Sequence, residues 1–215
     1  RVILEGAEGA PMYELDTGEH NAVIEGTKVV NALTEWDAVR RQSLLFEEGS
    51  YAGEPKTKLN IGLAKGGTYV GTDPTRFEIQ CRLYFGHGET IDSVLSDLRA
   101  FLAWRFAGDP WLASHLPELE LMSLRASPAF AGRDDPICEA VRSSIAEVRG
   151  RNEIVYQYHG ASDIRLPILY GHTPTVGIGP RCGGLYGQEW TDWVDVEDYL
   201  EGIRITASII VDWCT

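Results

Sequence analysis

Four polar side chains between residues 159 and 165 form the group in this sequence that is best suited to bind a ligand. His159, Ser162, Asp163 and Arg165 follow a run that alternates apolar and polar residues. An arginine guanidinium holds a carboxylate through two parallel hydrogen bonds, so Arg165 is a candidate carboxylate binder. The alternative is a structural ion pair between Arg165 and Asp163 or another acid, and the sequence favours neither interpretation.

A glycine-rich loop follows at residues 177–187 and contains five glycines. Glycine lets a backbone approach a ligand closely and expose its N–H groups to an anion, which makes Gly183 and Gly184 candidate binding residues. In an open α/β sheet, ligands bind where strand ends and helix starts converge. An ordinary surface turn between a strand and a helix is the alternative for this loop.

No group of residues in the sequence is typical of an activated nucleophile or a metal site. Ser162 lacks the Gly-x-Ser-x-Gly turn of serine hydrolases. The four cysteines, at 81, 138, 182 and 214, include no Cys-x-x-Cys pair, and no two histidines have the spacing of metal ligands on a helix or strand. We therefore assign no catalytic residue to this chain.

Charge and composition exclude several classes of partner. The net charge of −13 argues against nucleic acid, which needs clustered Lys and Arg, and against an anionic membrane surface. No apolar run approaches the ~20 residues of a membrane span. The 215 residues suffice for one or two domains with a core, and the cysteine pattern makes a reducing cytoplasm the expected compartment.

The first half of the sequence alternates strand and helix signals. Asn21 is the candidate cap of a helix that continues to about Arg40. A second helix is predicted from the three- and four-residue spacing of Ile91, Val94, Leu95, Leu98, Phe101 and Leu102. Strands are predicted at residues 1–4, 58–64, 76–85 and 119–124, and the pair Gly66-Gly67 interrupts the second of them.

A second set of helix and strand signals begins at about Ser127. Asp135 followed by Pro136 predicts the start of a helix, and Gly150 predicts its end. Strands are predicted at residues 153–158 and 175–178. Asp195 is predicted to cap a final helix whose inward face contains Val196, Tyr199, Leu200, Ile203 and Ile210.

Several motifs resemble zinc-dependent amidohydrolases, a family that includes acetylornithine deacetylase, succinyl-diaminopimelate desuccinylase, aminoacylase and carboxypeptidase G. The carboxyl-terminal motifs are Ser162-Asp-x-Arg165, Gly179-Pro180, the glycine-rich loop, and Trp193-Val-Asp-Val-Glu-Asp198 before a last helix that ends in Trp213-Cys214. Upstream, Gly18-Glu-His-Asn-Ala22, Asn60-Ile-Gly62 and Gly66-Gly67 are similar to motifs of the family's lid domain.

The resemblance implies an α/β fold in two domains. Residues 1–126 correspond to an α+β lid of β-α-β-β-α-β order, which is the dimerisation domain of the family. Residues 127–215 correspond to the returning helix-strand-strand-helix part of the α/β catalytic domain. The opening part of that domain is not in this sequence, which starts directly on Arg1, so we expect a piece of a longer protein.

The family hydrolyses amides with two zinc ions, a glutamate base and a lid histidine that holds the oxyanion. Most of its metal ligands precede the lid, and no His-x-Asp motif occurs in these residues. The histidine ligand expected in the glycine-rich loop falls at Tyr186 or Gln188, and neither is a usual zinc ligand. The lid histidine is expected about nine residues before Asn21-Ala22, near Met12, and His20 has the wrong spacing to replace it. The asparagine expected after Gly-Gly is Gly71.

The implied function is that of the lid and carboxyl-terminal portion of a metal-dependent amidohydrolase of deacetylase, desuccinylase or peptidase type. In this interpretation Arg165 corresponds to the position that holds the substrate carboxylate. We expect an N-acyl amino acid or peptide ligand and no zinc on this chain alone. We also expect a homodimer through the lid, or a partner chain that carries the metal half. The alternative is a non-catalytic dimerisation or interaction module that lacks that half.

Overall fold

The computed structural model describes residues 1–6, 20–47, 52–86, 88–122, 126–132, 134–151, 162–184 and 192–214. The chain divides into two compact units, Arg1–Pro128 (unit 1) and Ala129–Thr215 (unit 2). Strands and helices occur in both units, so the fold is α/β in class, as predicted. Within the described residues, no helix is long and apolar enough to cross a membrane.

Unit 1 is built on a four-stranded antiparallel sheet with the strand order β2-β3-β1-β4. The strands are β1 Val2–Glu5, β2 Lys58–Gly66, β3 Arg76–Tyr84 and β4 Glu118–Leu119. Val2 lies opposite Ile79, and Leu4 lies opposite Phe77. Because opposed residues share a face and alternate residues return to it, these four buried side chains form the apolar face of the sheet.

Helix α1, Ala22–Ser43, begins where the sequence predicts. The Asn21 Oδ1 atom accepts hydrogen bonds from the amides of Val23 and Ile24 at 3.0 and 3.2 Å, which satisfies two donors of the first turn. The helix lies so close to β3 that a Cβ atom on Gly26 would overlap the ring of Phe77. Glycine at this position therefore sets the distance between α1 and the sheet.

Helix α2, Ile91–Arg105, confirms the second helix predicted in the first half of the sequence. It begins at a reciprocal pair, in which each side chain of Thr90 and Ser93 accepts a hydrogen bond from the other residue's amide. Both helices and the sheet contribute to one hydrophobic cluster. Its largest members outside the sheet are Val29, Leu33, Trp36, Val94, Leu98, Leu102, Phe106, Trp111 and Leu112.

The predicted strand at residues 119–124 is wrong in extent. β4 ends at Leu119, and the backbone of Glu120 still exchanges two hydrogen bonds with Arg1, at 2.7 and 2.8 Å. Beyond Glu120, no described strand lies beside Leu121 and Met122, which are 38 and 45 % exposed. A strand needs a partner to satisfy its backbone groups, so the apolar sequence there does not form one.

Asp109 orders the turn that follows α2. Its Oδ1 atom accepts from the amides of Trp111 and Leu112 at 3.0 and 2.8 Å, and its Oδ2 atom lies 3.0 Å from the Lys28 Nζ atom. Burial by itself would raise the pKa of Asp109, but the two amides and the Lys28 ammonium lower it to about 2. The charged form is therefore bound more strongly in the folded state than in the unfolded state.

Replacing Asp109 with asparagine is expected to remove a pH-dependent part of the stability of unit 1. Because the folded pKa of about 2 lies below the ordinary 3.8, the contribution is complete above about pH 4 and is lost as the pH falls towards 2. It amounts to about 2 kcal/mol. Urea unfolding between pH 2 and 7 measures it, with Glu54→Gln, at an exposed carboxylate, as the control. If the free energy of unfolding of Asp109→Asn falls between pH 4 and 2 by as much as that of the parent protein, this assignment is contradicted.

Unit 2 contains three helices and a short hairpin among its described residues. They are α3 Pro136–Arg149, α4 Arg165–Gly171, β5 Cys182–Gly183, β6 Trp193–Val194 and α5 Val196–Cys214. α3 starts at Pro136 and ends at Gly150, whose φ of 65° is left-handed, as predicted. The Asp135 carboxylate does not cap this helix; it accepts from the Gly132 amide at 2.6 Å.

The predicted strand at residues 175–178 is wrong, since these residues have no regular structure. Thr173 and Thr175 donate their hydroxyl hydrogens to the carbonyls of Gly171 and Thr173, at 3.0 and 2.9 Å. Such local bonds favour turns over strands. The sequence also did not predict α4, and the strand predicted at residues 153–158 lies outside the described residues.

The predicted inward face of α5 is also wrong in this structure. Its members are each more than half exposed, at 67, 53, 51, 53 and 58 % for Val196, Tyr199, Leu200, Ile203 and Ile210. The opposite face of α5 packs on α3 instead, with Ile205 buried and polar contacts around it. The periodicity identified the helix correctly, but the apolar stripe has no covering layer among the described residues.

Candidate functional site

The polar cluster predicted from the sequence is partly assembled at the start of α4. The Ser162 hydroxyl lies 3.4 Å from the Ile164 amide, and the Leu166 amide donates to the Asp163 carbonyl at 2.9 Å. These bonds turn the chain into the helix, whose first residue is Arg165. The structure thus brings Ser162, Asp163 and Arg165 together, whereas His159 lies outside the described residues.

The Arg165 guanidinium is held from one side only. Its Nη1 atom donates to the Ser162 carbonyl at 2.7 Å and lies 3.3 Å from the Asp163 Oδ1 atom. The other two guanidinium nitrogens, Nη2 and Nε, have no partner within the described part of the chain. The Arg165 side chain is 19 % exposed, but that of Asp163 is 86 % exposed. An ion pair with so exposed a carboxylate contributes about 0–1 kcal/mol to stability. The pair with Asp163 alone therefore gives Arg165 only a small structural role.

The candidate glycines lie at the β5–β6 hairpin, where side chains at the start of β6 lie close to them. A Cβ atom on Gly183 would lie 2.9 Å from the Trp193 Nε1 atom, and one on Gly184 would overlap the Asp192 carboxylate. This close packing limits the room at both positions and is a reason for the two glycines that does not involve a ligand. No hydrogen bond or ion pair among the described residues joins Gly183 or Gly184 to the Arg165 cluster.

Charged contacts anchor the hairpin to the helices of unit 2. Arg181 donates its Nη2 hydrogen to the Asp195 Oδ2 atom at 2.5 Å and its amide hydrogen to the Asp198 Oδ2 atom at 3.1 Å. The Asp198 amide and then the Arg181 guanidinium lower the pKa of Asp195, the predicted cap of α5. Asp198 also pairs with Arg149 of α3, so one network fixes the hairpin, α3 and α5.

The described residues do not include a site that fits a metal ion. Within the described residues, no three His, Cys, Asp or Glu side chains lie close enough together to hold one. Tyr186 and Gln188, at the expected ligand position, lie outside those residues, as does Met12. Gly71 lies in the turn between β2 and β3, where a Cβ atom would approach the Tyr69 ring to 2.5 Å.

Unit 1 contains an aromatic stack that the sequence did not predict. The Trp111 ring stacks with the rings of both His20 and His115, with ring centroids 5.1 and 4.5 Å apart. His20 also lies 3.5 Å from Glu25, which is 5 % exposed. About ninety residues separate the two sides of this stack in the sequence, so no local motif could indicate it.

An open concavity of about 470 Å³ in unit 1 is lined by Lys28, Asn31, Arg105, Phe106, Gly108, Asp109 and Pro110. Its charged groups already have partners: Lys28 pairs with Glu25 and Asp109, and Arg105 pairs with Glu35. None of the predicted binding residues lines it.

No family model matches the sequence, and no curated protein matches it. Solved structures do match. The whole chain is similar to 51 % of the aminopeptidase PepT from Bacillus cereus, at 18 % identity and a TM-score of 0.67. Two further matches each cover 97 % of this chain. One is to 49 % of a tripeptidase from Staphylococcus aureus, at 14 % identity and a TM-score of 0.67. The other is to 56 % of an M20 family metallo-carboxypeptidase from Sulfolobus solfataricus, at 13 % identity and a TM-score of 0.57.

The chain shares its fold with about half of each of these peptidases. At these identities the likeness shows the fold and leaves the activity to be proposed.

Proposed function

We propose that this chain forms the lid and the carboxyl-terminal portion of a metal-dependent amidohydrolase that cleaves N-acyl amino acids or peptides. The observation that carries the proposal is the match of the whole chain to half of PepT, together with the family motifs Ser162-Asp-x-Arg165 and Trp193-Val-Asp-Val-Glu-Asp198. Residues 1–126 are the proposed lid, and residues 127–215 are the proposed part of the catalytic domain.

Within this proposal, Arg165 binds the carboxylate of the ligand. The contacts of its Nη1 atom orient the guanidinium, and the Nη2 and Nε atoms are left to form the two parallel hydrogen bonds that a carboxylate accepts. Ser162 and Asp163 hold the turn, while His159 and the backbone of Gly183 and Gly184 complete the proposed pocket. In this proposal the metal ligands and the catalytic base lie in the half of the matched length that this chain does not cover, because most of them precede the lid in the resembled family.

The metal content of the protein tests whether the metal ligands lie outside this chain. Elemental analysis of the 215-residue chain is expected to find no stoichiometric zinc, because the ligand position falls at Tyr186 or Gln188. The polypeptide that carries the metal ligands is expected to bind zinc in the same assay. One or two tightly held zinc ions per 215-residue chain would contradict the proposal.

A second candidate function is a non-catalytic dimerisation or interaction module. The departures at Met12, Gly71 and Tyr186 from positions that bear chemistry in the resembled family favour it. Such a module associates but hydrolyses nothing, so the hydrolysis assay that ends the Discussion separates the two functions.

Both functions include self-association through the lid, and β2 is the strand we propose for it. β2 lies at the edge of the sheet, with nine residues and a register shift between Ile61 and Leu63. An exposed edge offers unpaired backbone groups to another strand. Leu63, 43 % exposed, lies just after the irregularity, where the pairing of β2 with β3 is regular again.

The variant Leu63→Lys is expected to weaken dimerisation at least about tenfold, or about 1.4 kcal/mol, because a charge at a strand edge opposes pairing. Sedimentation equilibrium measures the dimer. Leu116→Lys is the matched control, since Leu116 is also a leucine that is 43 % exposed but lies outside the edge strand. A parent chain that stays monomeric at high concentration contradicts the assignment.

A further inference from the structure

The outer edge of strand β2 is partly closed by the protein itself. β2 forms one edge of the sheet, and the Leu59 amide donates to the Asp37 Oδ1 atom at 2.7 Å instead of to a neighbouring strand. Just before β2, the Lys56 amide donates to the Leu44 carbonyl, also at 2.7 Å. Backbone groups at and just before the start of β2 therefore already have partners.

The direction of the Leu59 amide follows from the pairing of the sheet. In an antiparallel ladder, alternate residues turn their backbone groups to opposite edges. Leu59 lies opposite Leu83 and bonds to a helix side chain, so the amide two residues on, at Ile61, faces the outer edge as well. Asp37 thus divides this edge into a closed part that ends at Leu59 and the part from Ile61 to Gly66, which the self-association proposed above uses.

Helix α1 holds Asp37 in position. Trp36, its neighbour, and Arg40, one turn further on, are both buried, at 2 and 7 % exposed. The Trp36 indole and the Arg40 guanidinium both donate to the Asp97 carboxylate of α2, at 2.9 and 3.3 Å. These contacts fix the rotation of α1 about its axis, and with it the place of the Asp37 carboxylate beside β2.

A carboxylate is a stronger acceptor for a backbone amide than the carbonyl of an incoming strand. Hydrogen bonds to a charged oxygen are roughly twice as strong as those between neutral groups. A carboxylate also has no donor, so it cannot continue the donor and acceptor pattern of a ladder. Natural proteins use charged side chains in this way to prevent unwanted pairing at the edge of a sheet.

We propose that Asp37 is a specificity-determining residue for assembly, which closes β2 at Leu59 and confines pairing with a second copy to Ile61–Gly66. This inference rests on the self-association through β2 proposed above. Both copies in a two-fold dimer present the same edge, so an open Leu59 amide would add one hydrogen bond from each copy. Closure at Leu59 keeps the ladder short and limits the registers in which two edges can pair.

Two substitutions at position 37 separate the hydrogen bond from the charge. Asp37→Ala removes the acceptor, whereas Asp37→Asn keeps an acceptor oxygen of the same reach without the charge. Sedimentation equilibrium is expected to show that Asp37→Ala associates at least about tenfold more tightly than the parent chain, because two backbone hydrogen bonds are gained. Asp37→Asn should associate like the parent. Equal association of Asp37→Ala and Asp37→Asn overturns the proposal.

Hydrogen exchange in the parent chain is a second test, which needs no variant to fold. The Leu59 amide is expected to be protected equally at low and high protein concentration, because its partner Asp37 lies in the same copy. The Ile61 amide should gain protection only as copies associate. Protection of the Leu59 amide that increases with protein concentration overturns the proposal.

These outcomes distinguish the role of Asp37 from the self-association on which it rests. If Leu63→Lys weakens association of the parent but Asp37→Ala and Asp37→Asn behave alike, only the role of Asp37 fails. If the parent stays monomeric while Asp37→Ala associates, self-association of the parent fails and closure by Asp37 stands. If neither protein associates, both proposals fail.

Discussion

Replacing Arg40 with methionine is expected to lower the free energy of unfolding of unit 1 by about 3 kcal/mol, the lower part of the range for breaking a buried ion pair on one side. The Arg40 side chain is 8 % exposed, and its Nη2 atom donates to the Glu89 Oε1 atom at 2.6 Å. Its guanidinium carbon also lies 4.7 Å from the centre of the Trp36 ring. The substitution leaves Glu89, with a side chain 19 % exposed, without its cation.

The two carboxylates beside Arg40 contribute unequally. Asp97 lies 3.3 Å from Arg40, but its side chain is 55 % exposed and keeps the hydrogen bond from the Trp36 indole at 2.9 Å. Water can therefore solvate Asp97 after the substitution, whereas Glu89 loses a contact that water replaces less well. Adding Glu89→Gln to Arg40→Met should accordingly restore part of the stability that the single substitution removes.

Urea unfolding of the single and double variants measures these effects. Arg105→Met is the matched control, because Arg105 forms an exposed fork with Glu35, and its loss should cost much less than the loss of Arg40. Equal losses for Arg40→Met and Arg105→Met would contradict the role given to burial.

The substitution Arg165→Lys is expected to weaken binding of an N-acyl amino acid by about 1.5–3 kcal/mol, the range for a hydrogen bond to a charged group. An ammonium ion reproduces the contact with the Ser162 carbonyl but not two parallel bonds to a carboxylate. The melting temperature should change little, because the ion pair with the exposed Asp163 is weak.

Calorimetry with a panel of N-acyl amino acids, run beside thermal melts, measures both quantities. Arg105→Lys, at a fork in unit 1, is the control for the arginine-to-lysine change itself. A lower melting temperature in Arg165→Lys with no ligand binding by the parent protein would assign Arg165 a structural role instead.

Local signals in the sequence were sufficient for much of unit 1. Asn21 predicted the start of α1 through a side-chain cap, and the apolar spacing around Leu98 predicted α2. Both signals act within a few residues and are independent of the rest of the fold. The strand order depends on contacts between distant residues, such as Val2 with Ile79, and no local pattern contains it.

The sequence predicted unit 2 less well because its apolar segments depend on layers elsewhere. Apolar residues at 175–178 favoured a strand, yet no described strand pairs with them. The stripe at Leu200 and Ile203 indicated a buried face, but the polar contacts of Asp198 with α3 orient the helix the other way. The cluster around Arg165 was predicted as a group of residues, but its one-sided hydrogen bonding emerged only from the structure.

Hydrolysis by the assembled protein is the most direct test of the proposed amidohydrolase. The 215-residue chain, joined to or mixed with the polypeptide that carries the metal ligands, is incubated with N-acyl amino acids and short peptides, with and without a chelator. We predict amide hydrolysis that requires both parts, stops with the chelator and falls in Arg165→Lys. Assembly and zinc binding without hydrolysis of any of these amides would contradict the amidohydrolase and leave the interaction module.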